Sequence, residues 1–252
     1  MKQIISGILL SMLFIACSNQ EPVRPGSTSL VLFHGVAGAN NLRTSFSDTA
    51  PAFYYLLNNL TYANFHPMAN IQAPVAGKVP LHLYQLPDTM PKAEPLFKLE
   101  LDLPAGSMHS LFLTGTPDAP DYVLVKDEPL PLPRGDSAMG IRFVNLMNGD
   151  IPVSINLTTK EEGSEAMNLP FKGVTSFKKY EVKSTVADYV FEFRNANTGV
   201  VLATYTTTGI ANDGKLIANA WVYKNFALAL VGVNGATGVL APKIIKINYA
   251  RV

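Results

Sequence analysis

The chain has little cysteine, little net charge and no long apolar run. A single cysteine excludes an intrachain disulfide and any metal site built on several cysteines. The 20 basic and 19 acidic residues nearly cancel, so the basic surface that drives phosphate binding is missing and nucleic acid is not an expected partner. The apolar stretch Ile4–Ile15 has 12 residues, fewer than the about 20 that a membrane-spanning helix needs.

The first 17 residues have the layout of a bacterial export signal. Lys2 precedes the apolar stretch, and Cys17 directly follows Phe14-Ile15-Ala16. This arrangement resembles the lipobox of bacterial lipoproteins, with Phe14 in place of the usual leucine. The resemblance implies that residues 1–16 are a signal peptide and that Cys17 is acylated, which would hold the mature chain on a membrane. The alternative is an ordinary signal peptide with an incidental cysteine.

The residues that follow extend this prediction. By the same resemblance, Ser18 beside the cysteine favours the outer membrane, where an acidic residue would favour retention in the inner membrane. The segment 17–29 contains Pro22 and Pro25 and few apolar residues, so we expect a flexible tether. An acylated Cys17 would leave no free thiol, which excludes thiol catalysis.

Short apolar or alternating segments, separated by Gly, Pro and Asn, make up most of the remaining sequence. This pattern is typical of an all-β protein built from β-sandwiches. A helix is predicted only over 50–60, where Phe53, Leu56, Leu57 and Leu60 recur at helical spacing. The predicted strands cover residues 30–33, 81–86, 97–103, 110–113, 122–125, 141–146, 153–157, 189–193, 200–207, 216–223, 227–233 and 244–249.

The two halves of the chain resemble each other. Leu30–His34 aligns with Ile141–Asn145, which lies 111 residues later, and Leu111–Gly115 aligns with Leu228–Gly232, which lies 117 residues later. A nearly constant offset that grows as loops lengthen indicates a tandem duplication.

Prolines at alternate positions separate the two halves. Pro129, Pro131 and Pro133 cannot donate to a sheet ladder, so this segment is predicted to be a stiff linker. We therefore predict two tandem immunoglobulin-like β-sandwich domains, residues 30–128 and 139–252, joined by a linker at 129–138.

Three segments resemble a known family. Leu111–Val125, the proline linker and Gly140–Leu146 are similar to the family called domain of unknown function 4397, and the sequence Ile-Arg-Phe-Val-Asn at 141–145 is the most specific part. Members are bacterial envelope proteins, common in Bacteroidota, with tandem β-sandwich repeats. The resemblance covers about residues 30–250, although His34-Gly35 departs from the family pattern. It implies a fold and an envelope location, but no chemistry, because the family has no established activity.

Two motifs suggest chemistry only weakly. His34-Gly35 follows an apolar strand as in α/β-hydrolases, but no Gly-x-Ser-x-Gly elbow occurs in the chain. The four histidines are scattered through the first half without the paired spacing of a zinc site. No cofactor, metal or catalytic residue is therefore predicted.

An aromatic segment is the main candidate for recognition. Within 13 residues lie Phe53, Tyr54, Tyr55, Tyr62 and Phe65. Such rings can pack in a core or bind a ligand, and both interpretations stay open for the segment as a whole. The aligned stretch of the second half keeps Phe171 but has no counterpart of Tyr54 and Tyr55, so these two residues are predicted to contact a ligand.

These observations rank three kinds of function. The first is a non-enzymatic binding, adhesion or scaffolding lipoprotein of the outer membrane, whose ligand is a glycan or another envelope protein. The second is a fimbria-like structural subunit, which would exchange a terminal strand between chains. An enzyme, such as a hydrolase, ranks third because no nucleophile–base pair or carboxylate pair stands out.

Overall fold

The computed structural model describes residues 26–87 and 93–249. Cys17 and the signal segment lie outside the described residues, so the predictions about them stay predictions. The first half contains strands β1 (Ser29–His34), β2 (Leu42–Ser45), β3 (Asn58–Leu60), β4 (Ile71–Gln72), β5 (Gly77–Gln85), β6 (Phe97–Leu103), β7 (Met108–Thr116) and β8 (Ala119–Lys126). The second half contains β9 (Ala138–Asn145), β10 (Val153–Leu157), β11 (Ala166–Leu169), β12 (Lys178–Glu181), β13 (Val190–Asn195), β14 (Val201–Thr206), β15 (Asn225–Val231) and β16 (Lys243–Asn248).

Helical structure in the described residues is limited to single turns. A short helix α1 covers Pro67–Asn70, and 3₁₀ turns cover Tyr54–Leu56 and Gly238–Leu240. No helix within 26–87 and 93–249 is long and apolar enough to cross a membrane.

Each half is a sandwich of two four-stranded sheets. The strand orders are β4-β1-β7-β8 and β3-β2-β5-β6 in the first half, and β12-β9-β15-β16 and β11-β10-β13-β14 in the second. In each half the first strand runs parallel to the seventh, and the other pairings are antiparallel. The prediction of an all-β protein with two tandem β-sandwich domains is therefore confirmed. Each sandwich has eight strands, one more than an immunoglobulin constant domain.

The strand register reproduces the repeat seen in the sequence. Leu32 of β1 pairs with Leu111 of β7, and Phe143 of β9 pairs with Leu228 of β15. Phe143 lies 111 residues after Leu32, and Leu228 lies 117 residues after Leu111, which are the two offsets of the sequence repeat. Equivalent positions therefore form the same strand pair in each half.

Each sandwich encloses its own apolar core. The inward residues of the first include Leu32, Leu42, Leu83 and Leu111, and those of the second include Phe143, Phe191, Phe193 and Leu228. Burial of such side chains, each worth about 1.5–3 kcal/mol, is the main stabilising contribution to the two sandwiches.

A third apolar core lies between the sandwiches. It forms where the sheet containing β1 and β7 faces the sheet containing β9 and β15, and we call it the central interface. Phe33 and Phe112 contribute large rings from the first half, whereas Ala227 and Ala229 contribute small side chains from the second. Large residues opposite small ones allow two flat sheets to interdigitate without voids.

A buried ion pair lies within the central interface. Arg142 Nη2 is 2.6 Å from Asp127 Oδ1 and donates to Ser110 Oγ at 3.0 Å, and it also donates to the Tyr249 hydroxyl. The guanidinium lies 4.8 Å from the ring centroids of Phe177 and Tyr249. Burial raises the pKa of Asp127, and Arg142 opposes that shift; burial also raises the pKa of Tyr249 to about 12. These contacts connect the two halves through charged and polar groups.

The segment between the halves also contacts the second sandwich. Leu130 accepts from Asn225 Nδ2 at 3.0 Å through its carbonyl, and its N–H donates to Asn225 Oδ1 at 3.1 Å. That amide occupies the space beside Gly140, where an added Cβ would lie 2.0 Å from Asn225 Oδ1. Glycine is therefore required at position 140 for this attachment.

Two predicted elements are wrong. Residues 50–60 do not form a helix: Tyr54–Leu56 is a 3₁₀ turn, and Asn58–Leu60 becomes β3 because pairing with β2 buries Leu60 against Leu42. Residues 216–223 do not form a strand, because they belong to a loop that is held by side-chain hydrogen bonds.

Candidate functional site

His34 is a structural residue. Its ring is fully buried; Nδ1 accepts from the backbone N–H of Val36 at 3.3 Å, and Nε2 bonds the carbonyl of Asn40 at 3.0 Å. Asn145, its counterpart in the second half, makes the same two bonds to residues two and six positions later. Burial lowers the pKa of His34 to about 4, so the ring is neutral near pH 7.

The first backbone donors after His34 are paired. The N–H groups of Gly35 and Ala37 donate to the carbonyls of Leu113 and Gly115, at 2.9 and 2.8 Å. An oxyanion hole would need such donors to be unpaired. Among residues 26–87 and 93–249, no group of three or more His, Cys, Asp or Glu side chains could hold a metal ion.

The residues of the aromatic segment lie in two different parts of the structure. Tyr62 and Phe65 pack against the central interface. Tyr55 and Phe53, by contrast, are 71% and 58% exposed, whereas Tyr54 between them is only 6% exposed. Of the two predicted ligand contacts, the structure thus places Tyr55 at the surface and Tyr54 in the packing beneath it.

The exposed rings lie on the outer face of the sheet β3-β2-β5-β6. Tyr54 packs edge-on against Tyr84 of β5, with ring centroids 5.0 Å apart, and Phe53 and Tyr55 are 5.8 Å apart. Arg43, which pairs with Tyr84 across β2 and β5, donates to the Leu57 carbonyl at 2.8 Å and so holds the loop 46–57 on this face. We call Phe53, Tyr54, Tyr55 and Tyr84 the aromatic shelf.

Two shallow clefts flank the aromatic shelf. One, of about 260 Å³, lies beside Arg43 and the three consecutive aromatic residues. The other, of about 340 Å³, lies on the opposite side of Tyr84 and includes the polar side chains of Asp48, His82, Glu94 and Lys98. Burial is the main cause that raises the pKa of Tyr84, with further contributions from Tyr54 and Glu94.

Two buried polar atoms beside the smaller cleft lack hydrogen-bond partners. Within the part of the chain that the structure describes, neither the Tyr54 hydroxyl nor Arg43 Nε has one. Unpaired polar groups are costly in a folded protein unless something else binds them. Both atoms have almost no exposed surface, so they belong to the packing beneath the exposed rings.

The second half has no aromatic shelf. The positions equivalent to His82 and Tyr84 are Glu192 and Arg194, whose side chains form an ion pair at 2.6 Å. Asn156 donates to Glu192 from the neighbouring strand. The duplicated fold therefore forms without rings on this face, and the aromatic shelf is a feature added to the first sandwich.

A larger cleft, of about 520 Å³, opens in the second sandwich. It lies between the segment 182–184 and the loop before β15, and its lining includes Lys183, Ser184, Asn212 and Tyr223. Its lining mixes polar and apolar side chains, and Tyr223 is the one aromatic residue in it.

Comparisons with known proteins do not assign the chain to a family. No protein-family model matches it, and no curated protein matches it by sequence. Among solved structures, it is similar to one of an α-glucan-binding streptococcal virulence factor, at 11% identity, over 81% of this chain and 93% of the other, with a TM-score of 0.25. It is also similar to a candidate adhesin from Bacteroides ovatus, at 12% identity, over 88% and 93% of the chains, with a TM-score of 0.23. TM-scores this low connect neither protein's ligand with this chain.

Proposed function

We propose that the protein is a non-enzymatic binding module of the bacterial cell envelope, and that the aromatic shelf is its recognition surface. The observation that carries the proposal is the exposure of Phe53 and Tyr55 on a face that the second sandwich builds without aromatic rings. Because the fold does not require them there, their conspicuous exposure is best explained by a ligand.

The chemistry of the surface fits a glycan. Exposed rings can stack on the apolar faces of sugars, while the charged groups beside them bond sugar hydroxyls. Arg43 and Lys98 balance Asp48 and Glu94, so no net charge selects an ionic ligand. We therefore propose a neutral saccharide, bound with little dependence on salt concentration.

The envelope location rests on the lipoprotein resemblance of the first residues and on the similarity to the family of domain of unknown function 4397. In this proposal Cys17 is acylated, and the two sandwiches are displayed from the outer membrane. No membrane-crossing segment is then needed, because more than one acyl chain anchors a protein stably.

Replacing Cys17 with Ala should remove the anchor. The variant is expected to lose incorporation of labelled palmitate and to move from the detergent phase to the aqueous phase in a phase-separation assay. Ser18→Ala, which leaves the acylated position unchanged, is the matched control. If Cys17→Ala partitions with membranes as the wild type does, the lipid anchor is wrong.

Replacing both Phe53 and Tyr55 with Ala should abolish binding without unfolding the protein. On a panel of immobilised neutral polysaccharides, we expect the Kd for the best binder to rise at least about tenfold, because exposed aromatic anchors dominate such interfaces. The free energy of unfolding should change by less than about 0.5 kcal/mol, as for other surface substitutions.

Two controls separate recognition from packing. Val200→Ala combined with Val239→Ala removes two other exposed apolar side chains and should leave binding intact. Tyr54→Ala should instead lower the free energy of unfolding by more than about 1 kcal/mol, because its ring packs against Tyr84. Unchanged binding by the Phe53→Ala/Tyr55→Ala variant would refute the aromatic shelf as the site.

A further inference from the structure

The loop 207–224 displays two apolar side chains at its tip. Leu216 is 99% exposed and Ile217 is 74% exposed. The loop that carries them is held in place: Asn219 Nδ2 donates to the carbonyls of Ile210 and Asn212, at 3.2 and 2.8 Å. Two neighbouring apolar side chains that are exposed on a loop held by hydrogen bonds indicate a contact surface.

The directions of β1, β7, β9 and β15, the four strands at the centre of the molecule, show which end carries this tip. Arg142 in β9 donates to Ser110 in β7 at 3.0 Å, and four residues further along both strands Thr114 donates to the carbonyl of Leu146 at 3.0 Å. The strands β7 and β9 therefore run in the same direction. Since β1 is parallel to β7 and β15 is parallel to β9, all four begin at the same end.

The loop 207–224 and Gly26, the first described residue, lie at that end. The loop leads directly into Asn225, the first residue of β15, and Gly26 lies just ahead of β1, where its carbonyl accepts from Ala76 at 2.8 Å. The strands β1 and β15 lie in two sheets that face each other, and packed sheets are about 10 Å apart, so the loop and Gly26 adjoin the same end of neighbouring layers.

The length of chain before β1 places this end near a membrane. Gly26 lies nine positions after Cys17, and nine residue steps span at most about 30 Å when fully extended. An acylated Cys17 would therefore keep the beginning of β1, and with it the loop tip, within a short distance of the bilayer surface.

We propose that Leu216 and Ile217 insert into the interfacial region of the lipid bilayer as a second membrane contact. This inference rests on the proposed acylation of Cys17. The acyl chains hold the protein on the membrane, and the loop tip fixes its orientation, with the central strands directed away from the bilayer. The side chains of Lys183 and Tyr223 in the adjacent cleft then face the headgroups.

The test uses the full lipoprotein in vesicles of phosphatidylethanolamine and phosphatidylglycerol. Because the acylated Cys17 has no free thiol, Leu216→Cys introduces the single site for an environment-sensitive fluorophore. Val239→Cys is the matched control, since Val239 is 72% exposed in the loop between β15 and β16, at the opposite end of the sheet. We expect the label at position 216 to shift its emission to shorter wavelength and to be quenched by nitroxide lipids, and the label at 239 to do neither.

A second pair of proteins separates insertion from mere proximity. A fluorophore on Lys215→Cys should show the same shift and quenching with Leu216 and Ile217 in place, and should lose both when they are replaced with Ser. Equal signals from positions 216 and 239, or from Lys215→Cys with and without the two serines, would overturn the inference while leaving the anchor intact. Failure of the wild-type protein to float with the vesicles would overturn the anchor and this inference together.

Discussion

Replacing Asp127 with Asn is expected to lower the free energy of unfolding by about 3–5 kcal/mol, because removing one partner of a buried ion pair leaves the other charge uncompensated. In this variant Arg142 would stay buried in the central interface without a counter-charge. Its remaining polar contacts, to Ser110 and Tyr249, are neutral and cannot replace the carboxylate. Chemical denaturation at about pH 7 would measure the loss.

A matched substitution at an exposed pair shows whether burial is the cause. Lys78 and Glu100 form an ion pair at 3.1 Å on the surface, and Glu100→Gln should cost less than about 1 kcal/mol. The combined change Asp127→Leu with Arg142→Met, which removes both charges, should recover much of the stability that Asp127→Asn loses. Equal losses from Asp127→Asn and Glu100→Gln would mean that the buried pair does not connect the two halves as described.

Acid should destabilise the wild-type protein through His34, and His34→Asn should remove that effect. The folded pKa of His34 is about 4, below its ordinary value of 6.5, so below about pH 6.5 the unfolded chain takes up the proton first. The stability contributed by the neutral ring is complete above pH 6.5 and is lost as the pH falls to about 4. This difference between the unfolded and folded pKa values corresponds to about 3 kcal/mol of stability.

Asparagine is the natural replacement because Asn145 makes the equivalent bonds in the second half. Denaturation of both proteins at about pH 7 and about pH 4 gives the comparison, since only the wild type should show the His34 contribution. The reverse change, Asn145→His, should make the second half acid-sensitive in the same range. If wild type and His34→Asn lose the same stability on acidification, the burial assigned to His34 is incorrect.

The strands that the sequence predicts correctly are the longer ones. Phe97–Leu103 alternates through seven residues and forms β6 with the predicted limits. The short strands β2, β3, β4, β11 and β12 were not predicted, because two to four residues are too few to show a period. Their pairing depends on neighbours that are distant in the sequence.

The strands of the central interface also have a recognisable sequence pattern, which differs from the alternation of apolar and polar residues. Leu30–Phe33 and Phe226–Val231 are continuous apolar runs, which are typical of strands buried on both faces. A strand with one face in solvent would instead have a polar residue at every second position. The buried Arg142 interrupts such a run and could not be placed without its partner, Asp127.

The candidate site was predictable only in part. The sequence indicates that Tyr54 and Tyr55 have no counterpart in the second half, but it cannot show which ring is exposed, because that depends on how the loop 46–57 packs on Tyr84. Phe53 belongs to the predicted aromatic segment but is not singled out by the comparison of the two halves, and Tyr84 is not predicted as a member of the aromatic shelf. The alternation of Leu81-His82-Leu83-Tyr84 contained the signal, since it directs His82 and Tyr84 away from the core.

Hydrogen–deuterium exchange with and without a bound neutral polysaccharide tests the central claim most directly. The aromatic shelf predicts slower exchange in residues 46–57 and in the β5 segment around Tyr84 when the ligand is present. The equivalent face of the second sandwich, around Glu192 and Arg194, should exchange at the same rate in both states. Protection confined to the second sandwich, or no protection of 46–57 at saturating ligand, would contradict the account.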